Sequence, residues 1–345
     1  MQGVAGNDET ALLVFLVLWV FGIYFIFAIS RMGMATCWWR RLPCRTRLCL
    51  RLYLSIIAVI LLCLVLFAYT LIFDPDVTDI NLSDVQQLTP KPHELCVIVP
   101  FRDREPELAG YLSRESFEER NFAEFAPHIQ QFLDNQNVKH VILAMNQTDQ
   151  YRFNRASLIN VGWLESDRIG CDYLVMHDVD LLPANPQIDY SFPQLGFVRH
   201  ISSPEYHPKY NYTKFIGGIL MLTMADYKAI DGMSNKYWGW GLEDDEFYLR
   251  IRDGNLNLTR VSNLTTDRTN SFRHIHGKER KRDYAVVTKT QREMKRKRDR
   301  ISGLHNVHYV IAARRTLRFK DTPVRVVDVL LECDLSWTPY CVMPK

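Results

Sequence analysis

Two apolar runs flank a purely basic segment near the start of this chain, and they limit what the first 73 residues can become. Ala11 to Ser30 is almost unbroken in its apolar character, and so is Leu52 to Phe73. Each is about the twenty residues that a helix needs to cross a bilayer. Between them stand Arg31, Arg40, Arg41, Arg45, Arg47 and Arg51, with no acidic residue. Such a cluster marks the cytoplasmic side. Whether both runs span as a hairpin or only the second spans, the bulk of the chain is expected outside the cytosol. Met32 and Met34 offer starts that would leave a short basic tail and one anchor. A cleaved signal peptide over residues 11–30 fits poorly, because its basic region would follow the apolar run.

The expected organisation is an apolar and basic segment over 1–51, an anchor over 52–73, a short polar stem over 74–93 and one large lumenal domain over 94–345. The net charge of +3 resolves into local pieces. Lys278 to Arg300 holds eleven basic residues against four acidic ones, the pattern of a solvated face or of a segment that meets an anion. Nothing in it points to nucleic acid. Cys37, Cys44, Cys49 and Cys63 fall in the cytoplasmic or anchor part, where acylation is an option. Cys333 and Cys341 bracket a loop short enough to bridge in an oxidising compartment, whereas Cys96, inside an apolar strand, reads as a buried thiol. Sequons at Asn81, Asn146, Asn211, Asn257 and Asn263 suit a lumenal address.

Beyond the stem, strand-like and helical stretches alternate. Leu95 to Pro100, Lys139 to Met145 and Tyr173 to Met176 read as strands, with helices expected over 104–135 and from Asn154 to Glu165. A β-α-β-α-β order implies an α/β domain with a largely parallel sheet. Ligands in such sheets gather at the carboxyl ends of the strands. Arg102, Asn146 and Asp180 are expected there.

Asp178 and Asp180 follow a buried strand at a spacing that suits a divalent cation and a nucleotide, and oxygen ligands suit Mn²⁺ or Mg²⁺. Alone the pair is feeble, since Asp74 and Asp76 share its spacing. His274 and His276 would share one face of an extended segment; alone, they read more readily as surface histidines. Glu243, Asp244 and Asp245 follow Trp238-Gly239-Trp240-Gly241. Three acids suit a helix start, while a tryptophan face beside carboxylates suits a sugar ring, with one carboxylate as general base. Gly217-Gly218 reads as a close backbone approach or a simple turn, and Tyr210 and Tyr212 as core aromatics or a sugar platform.

Together these segments resemble the β1,4-galactosyltransferase family, and within it the branch of xylosylprotein 4-β-galactosyltransferases. The resemblance runs from about Val97 to Cys341. It is carried by Val99-Pro100-Phe101-Arg102, Phe153-Asn154-Arg155-Ala156, Asn160-Val161-Gly162, His177 to Pro183, Gly217-Gly218-Ile219, Trp238 to Phe247 and Phe272 to His276. Three features favour the xylose branch: Ser271 stands where the N-acetylglucosamine-directed branch has Met, a second His follows His274, and the acidic motif ends Asp245-Glu246-Phe247. Trp163 departs from the expected Phe but stays aromatic.

The resemblance implies a GT-A fold, UDP-galactose as donor, a xylosylated proteoglycan core protein as acceptor, Mn²⁺ as cofactor and a Golgi membrane location. It implies that Arg102, Arg104, Phe153 and Arg155 line the uridine and phosphate pocket, with Asp178, Gly217, Gly218 and Trp240 beside the donor. Asp180, His274 and His276 would hold the metal, and Asp244 would be the base. Tyr210, Tyr212, Trp238, Glu243 and Asp245 would shape the acceptor site. The alternatives are galactosyl or N-acetylgalactosaminyl transfer to N-acetylglucosamine, or an inactive sugar-binding scaffold.

Overall fold

A computed structural model describes residues 57, 60, 92–102, 117–275, 282–293 and 297–343. The chain divides into two units, Met1–Thr89 and Pro90–Lys345. Of the first, only Ile57 and Ile60 are described, and both are helical. The apolar runs as spans, the arginine cluster, the stem up to residue 91, Cys37, Cys44, Cys49, Cys63, Asn81, Arg104 and His276 therefore lie outside the described residues. Among the described residues, no helix is long and apolar enough to cross a membrane.

The second unit is built on an eight-stranded sheet. Its strands are β1 (Glu94–Phe101), β2 (Lys139–Gln147), β3 (Tyr173–His177), β5 (Phe197–His200), β6 (Ile219–Thr223), β7 (Asn257–Arg260), β9 (Tyr309–Phe319) and β10 (Thr322–Leu331). They lie in the order β7-β5-β6-β3-β1-β2-β10-β9. The centre, β3-β1-β2-β10, is parallel. Outside it, β6 pairs antiparallel with β3, β5 antiparallel with β6, and β9 antiparallel with β10, while the edge strand β7 runs parallel to β5. The expectation of a largely parallel sheet is thus corrected to a mixed one. The β-α-β-α-β reading covered only the chain up to His177. The later strands return through loops and a hairpin, whose turn, Lys320-Asp321, has φ of 46° and 70°. Two positive φ values match a hairpin turn to the strand twist, but Lys-Asp carries little of the usual sequence signal.

The centre of the sheet is covered on both faces, which is why β1 reads as a continuous apolar run. Leu95, Val97 and Val99 pack with Phe125 and Ile129 of α1 (Phe117–Asp134). Cys96 and Ile98 face α2 (Arg155–Ile169) and its Leu158, Ile159 and Val161. The strand period of two distributes one sequence between two cores. α2 starts as the sequence suggests, with the Asn154 side chain accepting a bond from Ser157 N at 2.9 Å. It runs to Ile169, past the expected Glu165, because Trp163 and Ser166 remain buried.

Two local expectations fail. Cys96 is joined to Cys171 by a disulfide, with Cα atoms 5.9 Å apart. Cys171 enters β3, which lies beside β1 with Leu95 opposite Tyr173, a neighbourhood that 75 residues of intervening sequence conceal. Asn146 is not a strand-end ligand. It lies inside β2, 4% exposed, and its amide donates to Asp328 Oδ1 at 2.8 Å. Cys333 and Cys341 form the second disulfide.

Candidate active site

At the carboxyl ends of β1 and β3 the fold opens a cavity of about 790 Å³, a size suited to a small organic ligand. Every described residue expected at the site lines it: Arg102, Phe153, Arg155, Asp178, Asp180, Tyr210, Tyr212, Gly217, Gly218, Trp238, Trp240, Glu243, Asp244, Asp245 and His274.

One bank follows directly from the strands. Arg102, one residue past β1, donates to Tyr151 O at 2.5 Å and Gln147 O at 3.3 Å, and pairs with Asp149. Its guanidinium lies 5.9 Å from the centre of the Phe153 ring. Arg155 donates to Asp178 Oδ1 through Nε and Nη2 at 3.2 and 2.9 Å and approaches Glu243 at 4.0 Å. His177 holds the turn between these acids. It is fully buried, and burial pushes its pKa down to about 4. The neutral ring donates from Nδ1 to Asp178 O at 2.9 Å and accepts from the Tyr190 hydroxyl at 3.1 Å.

After this turn, β4 (Leu181–Pro183) pairs antiparallel with β8 (Phe272–His274), setting Leu181 opposite His274. Ile275 N donates to Asp180 O at 2.8 Å. The ladder brings Asp180 Oδ2 to 3.6 Å from His274 Nε2. A carboxylate oxygen beside an imidazole nitrogen, both opening on one cavity, is a donor set that suits Mn²⁺. His276 lies outside the described residues, so the described part of this set is Asp180 and His274.

The other bank is irregular. Trp238 to Leu242 forms a loop in which Gly239, Gly241 and Leu242 have φ of 95°, 93° and 75°. The acidic triplet then opens α3 (Glu243–Asp253), so the helix-start and acidic-site readings are both realised. Asp244 lies against Gly217, where a Cβ would come 2.8 Å from Asp244 Oδ2 and 2.7 Å from the Phe215 ring. Only a residue without a side chain fits there. Burial raises the Asp244 carboxyl to about 7, assisted by the charges of Glu243 and Asp245 and opposed by Arg155. Burial likewise raises Glu243, with Arg155 opposing it.

Two buried polar atoms of this bank, Trp238 Nε1 and Glu243 Oε2, have no hydrogen-bond partner. Buried groups of this kind are ordinarily satisfied. A donor and an acceptor that both belong to cavity-lining residues suit the hydroxyls of a ligand. Behind α3, the buried Arg250 donates to Glu246 and to Ser302 O at 2.6 Å, and Asp299 N donates to Glu246 Oε1 at 2.9 Å. The end of the basic segment is thereby fastened behind the acidic helix.

Sequence reasoning missed several groups. His207 lines the cavity, is held near pKa 4 mainly by burial, and accepts from Lys209 N and Tyr210 N at 3.0 Å each, which sets the turn carrying Tyr210. Arg282 donates to the Tyr210 hydroxyl at 3.1 Å and lies 4.8 Å from the centre of the Trp240 ring. Tyr284 meets the same ring edge-on at 4.8 Å. The excess of basic residues from Lys278 to Arg300 was the available signal, but it did not single out Arg282.

Residues 86–193 match the family described as the N-terminal region of glycosyl transferase group 7, and residues 198–275 that described as the N-terminal domain of galactosyltransferase. The chain is 58% identical over 298 residues to xylosylprotein 4-β-galactosyltransferase of Caenorhabditis elegans, covering 84% of this chain and 98% of that protein. The chain belongs to the β1,4-galactosyltransferase family. This galactosyltransferase is also 45% identical over 251 residues to human β-1,4-galactosyltransferase 7, covering 72% of this chain and 71% of that one. Among solved structures it is similar to a mutant of Drosophila β1,4-galactosyltransferase 7 in complex with manganese, UDP-Gal and xylobiose. The TM-score is 0.67 at 44% identity, over 73% of this chain and all of that one. The galactosyltransferase thus has a GT-A-like α/β fold, with the mixed sheet described above.

Proposed function

We propose that this galactosyltransferase moves galactose from UDP-galactose to O4 of xylose on proteoglycan core proteins, with inversion and with Mn²⁺ as cofactor. The observation that carries the reading is one cavity that holds both Asp244, a carboxyl poised at about 7, and the Asp180–His274 pair at 3.6 Å. The donor, metal and acceptor identities are supported by the Caenorhabditis relative named for xylosylprotein and by the Drosophila complex with manganese, UDP-Gal and xylobiose.

The donor sugar is α-linked and the product β-linked, so one direct displacement suffices. Xylose O4 attacks the anomeric carbon of galactose while the bond from that carbon to the β-phosphate oxygen breaks. Asp244 takes the O4 proton, and a base with pKa near the working pH is suited to the step. Asp180, His274 and His276 would hold Mn²⁺, which would supply Lewis-acid neutralisation of the charge that develops on UDP. Arg102, Phe153 and Arg155 serve the nucleotide, with Asp178, Gly217, Gly218 and Trp240 on the donor side. Trp238 Nε1 and Glu243 Oε2 offer the acceptor hydroxyls a donor and an acceptor, and Tyr210, Tyr212 and Asp245 complete that bank. The tryptophan loop and the segment after Arg282 exclude water that would otherwise hydrolyse the donor.

The same reading places the domain in the Golgi lumen, on a type II anchor or a two-span hairpin. It is supported by the two apolar runs around six arginines, by two disulfides and by exposed sequon asparagines at Asn211, Asn257 and Asn263. The deciding experiment assays the full-length chain with UDP-galactose and a β-xyloside, or an N-acetylglucosaminide, with and without Mn²⁺. Turnover of the xyloside only with metal is expected. Turnover of the N-acetylglucosaminide alone would replace xylose as the acceptor.

A further inference from the structure

Arg152 lies just outside the cavity lining and carries none of the roles assigned above, yet it is among the most completely bonded side chains of the domain. Its side chain is 3% exposed, and its guanidinium spends all five N–H groups on five acceptors. Nε donates to Asp283 Oδ2 at 2.6 Å and Nη2 to Asp283 Oδ1 at 2.9 Å. Nη2 also donates to Ala285 O at 2.7 Å, and Nη1 to Tyr340 O at 3.1 Å and Gln291 Oε1 at 3.5 Å. Five donors in a planar fork are all that arginine has, and lysine can reproduce neither their number nor the two-point grip on Asp283.

The acceptors belong to two segments remote in sequence, a strap over 283–291 and the terminal turn at Tyr340. Each is tied to Arg152 or its neighbours a second time. Arg152 N donates to Cys341 O at 2.8 Å, beside the Cys333–Cys341 disulfide. The strap in turn reaches the tryptophan loop, where Trp240 N donates to Asp283 O at 2.8 Å, and the residue after Arg152 reaches it too, Gly239 N donating to Phe153 O at 2.9 Å. Gly239 has φ of 95°, and a Cβ there would collide with the Arg152 guanidinium. The loop therefore lies directly on this side chain, and Trp240, 45% exposed, projects from it into the cavity.

We infer that Arg152 is a positioning residue of the transfer reaction: by gripping Asp283 it fixes the strap carbonyl that pins the Trp240 amide, and so sets the place of the Trp240 ring at the donor. Two-point charge-assisted bonding makes such a grip rigid, and a displaced positioning group is costly even when the chemical groups are intact. In its kinetic arm the inference rests on the galactosyl-transfer reading.

The test uses the full-length protein with Asp283→Asn, Arg152→Lys and Trp240→Phe, singly and in pairs. UDP-galactose binding is read by calorimetry and KM by transfer to a β-xyloside, with thermal unfolding followed in parallel. Asp283→Asn keeps the volume of a partly exposed side chain, so it stays testable if Arg152→Lys does not fold. Asp283→Asn should weaken UDP-galactose binding and raise its KM by about tenfold, with a smaller change in kcat and a single cooperative unfolding transition retained. Trp240→Phe should add little to that loss, because groups acting through one another are not additive. Unchanged binding in folded Asp283→Asn, or losses that simply multiply with those of Trp240→Phe, would overturn the inference. Absence of xyloside turnover in the wild type would instead sink the galactosyl-transfer reading, and the calorimetric cycle would still decide the role of Arg152.

Discussion

The two banks of the cavity hold their side chains by different means. On the strand bank, Arg102 and Asp178 follow the ends of β1 and β3 in the parallel centre of the sheet, where buried apolar residues cover both faces. Asp180 and His274 are set by one further ladder. On the loop bank, Trp238 and Trp240 stand on backbone with repeated positive φ, held by the Asp283 carbonyl, which the Arg152–Asp283 ion pair fixes, and by the Gln291 side chain. A strand end is fixed by the whole core, so no single polar contact decides its place. A loop held by a polar network depends on each member, because a buried group that loses its partner is costly. The strand bank should therefore tolerate loss of stability without loss of geometry, and the loop bank the reverse.

The largest expected effect lies at the junction of the banks. Asp244→Asn should lower transfer by about 10³-fold, the usual range for a lost general base, while UDP-galactose binding by calorimetry stays within experimental scatter. Retained turnover would move the base elsewhere. On the strand bank, Asp180→Ala should weaken Mn²⁺ dependence by at least 10–100-fold, roughly the loss seen even for outer partners of metal ligands, read as the Mn²⁺ concentration for half-maximal rate. His276→Ala should do likewise; an unchanged metal requirement would remove His276 from the ligand set.

The pH dependence is the next effect in size. The Asp244 carboxyl titrates at about 7, above its unfolded value, and only its ionised form accepts a proton. The kcat should therefore fall about tenfold per pH unit below that value, and the fall should disappear in Asp244→Asn. The stability linkage has the opposite sign. A carboxyl raised in the folded state binds its proton more tightly there, so its penalty is absent at low pH and complete above the folded value. Asp244→Asn should thus stabilise the fold by roughly 4 kcal/mol at pH 8, about 1.4 kcal/mol for each pH unit between 3.8 and 7, and by less at pH 5, measured by chemical denaturation.

The smallest effects on catalysis distinguish the banks most directly. Replacing Cys96 and Cys171 with Ser should cost about 2–4 kcal/mol of stability and leave the KM for UDP-galactose unchanged. Replacing Cys333 and Cys341, whose turn bonds Arg152 through Tyr340 O, should raise that KM about threefold with a smaller stability loss, since the loop it closes is short. Equal behaviour of the two pairs would erase the contrast.

Much of the strand bank could be read in the sequence because its signals are local. An apolar run ending at Arg102, a second ending at Asp178-Val179-Asp180, and Asn154 before a helix each state their structure within a few residues. The acidic triplet after Trp-Gly-Trp-Gly was equally plain, since a helix start and a glycine-rich loop are short-range features. The reach of such signals also explains the errors. Cys96 looks apolar and unpaired until β1 and β3 lie side by side, and Asn146 looks like a strand-end ligand until Asp328 of β10 claims its amide.

What the sequence determined by itself is which residues line the cavity: the two carboxylates after a buried strand, His274 on an extended segment, the acidic helix start and the aromatic side chains of Tyr210, Tyr212, Trp238 and Trp240. Only the tertiary structure decided how they meet. The β4–β8 ladder brings Asp180 to His274, packing against Gly217 and neighbouring carboxyls lifts Asp244 to about 7, and Arg152 reaches Asp283 across 131 residues. The physical reason is range. Propensities and spacings act over a turn or a strand, whereas a pKa, a donor pair and a five-point arginine grip arise from groups that are adjacent only after the sheet has formed.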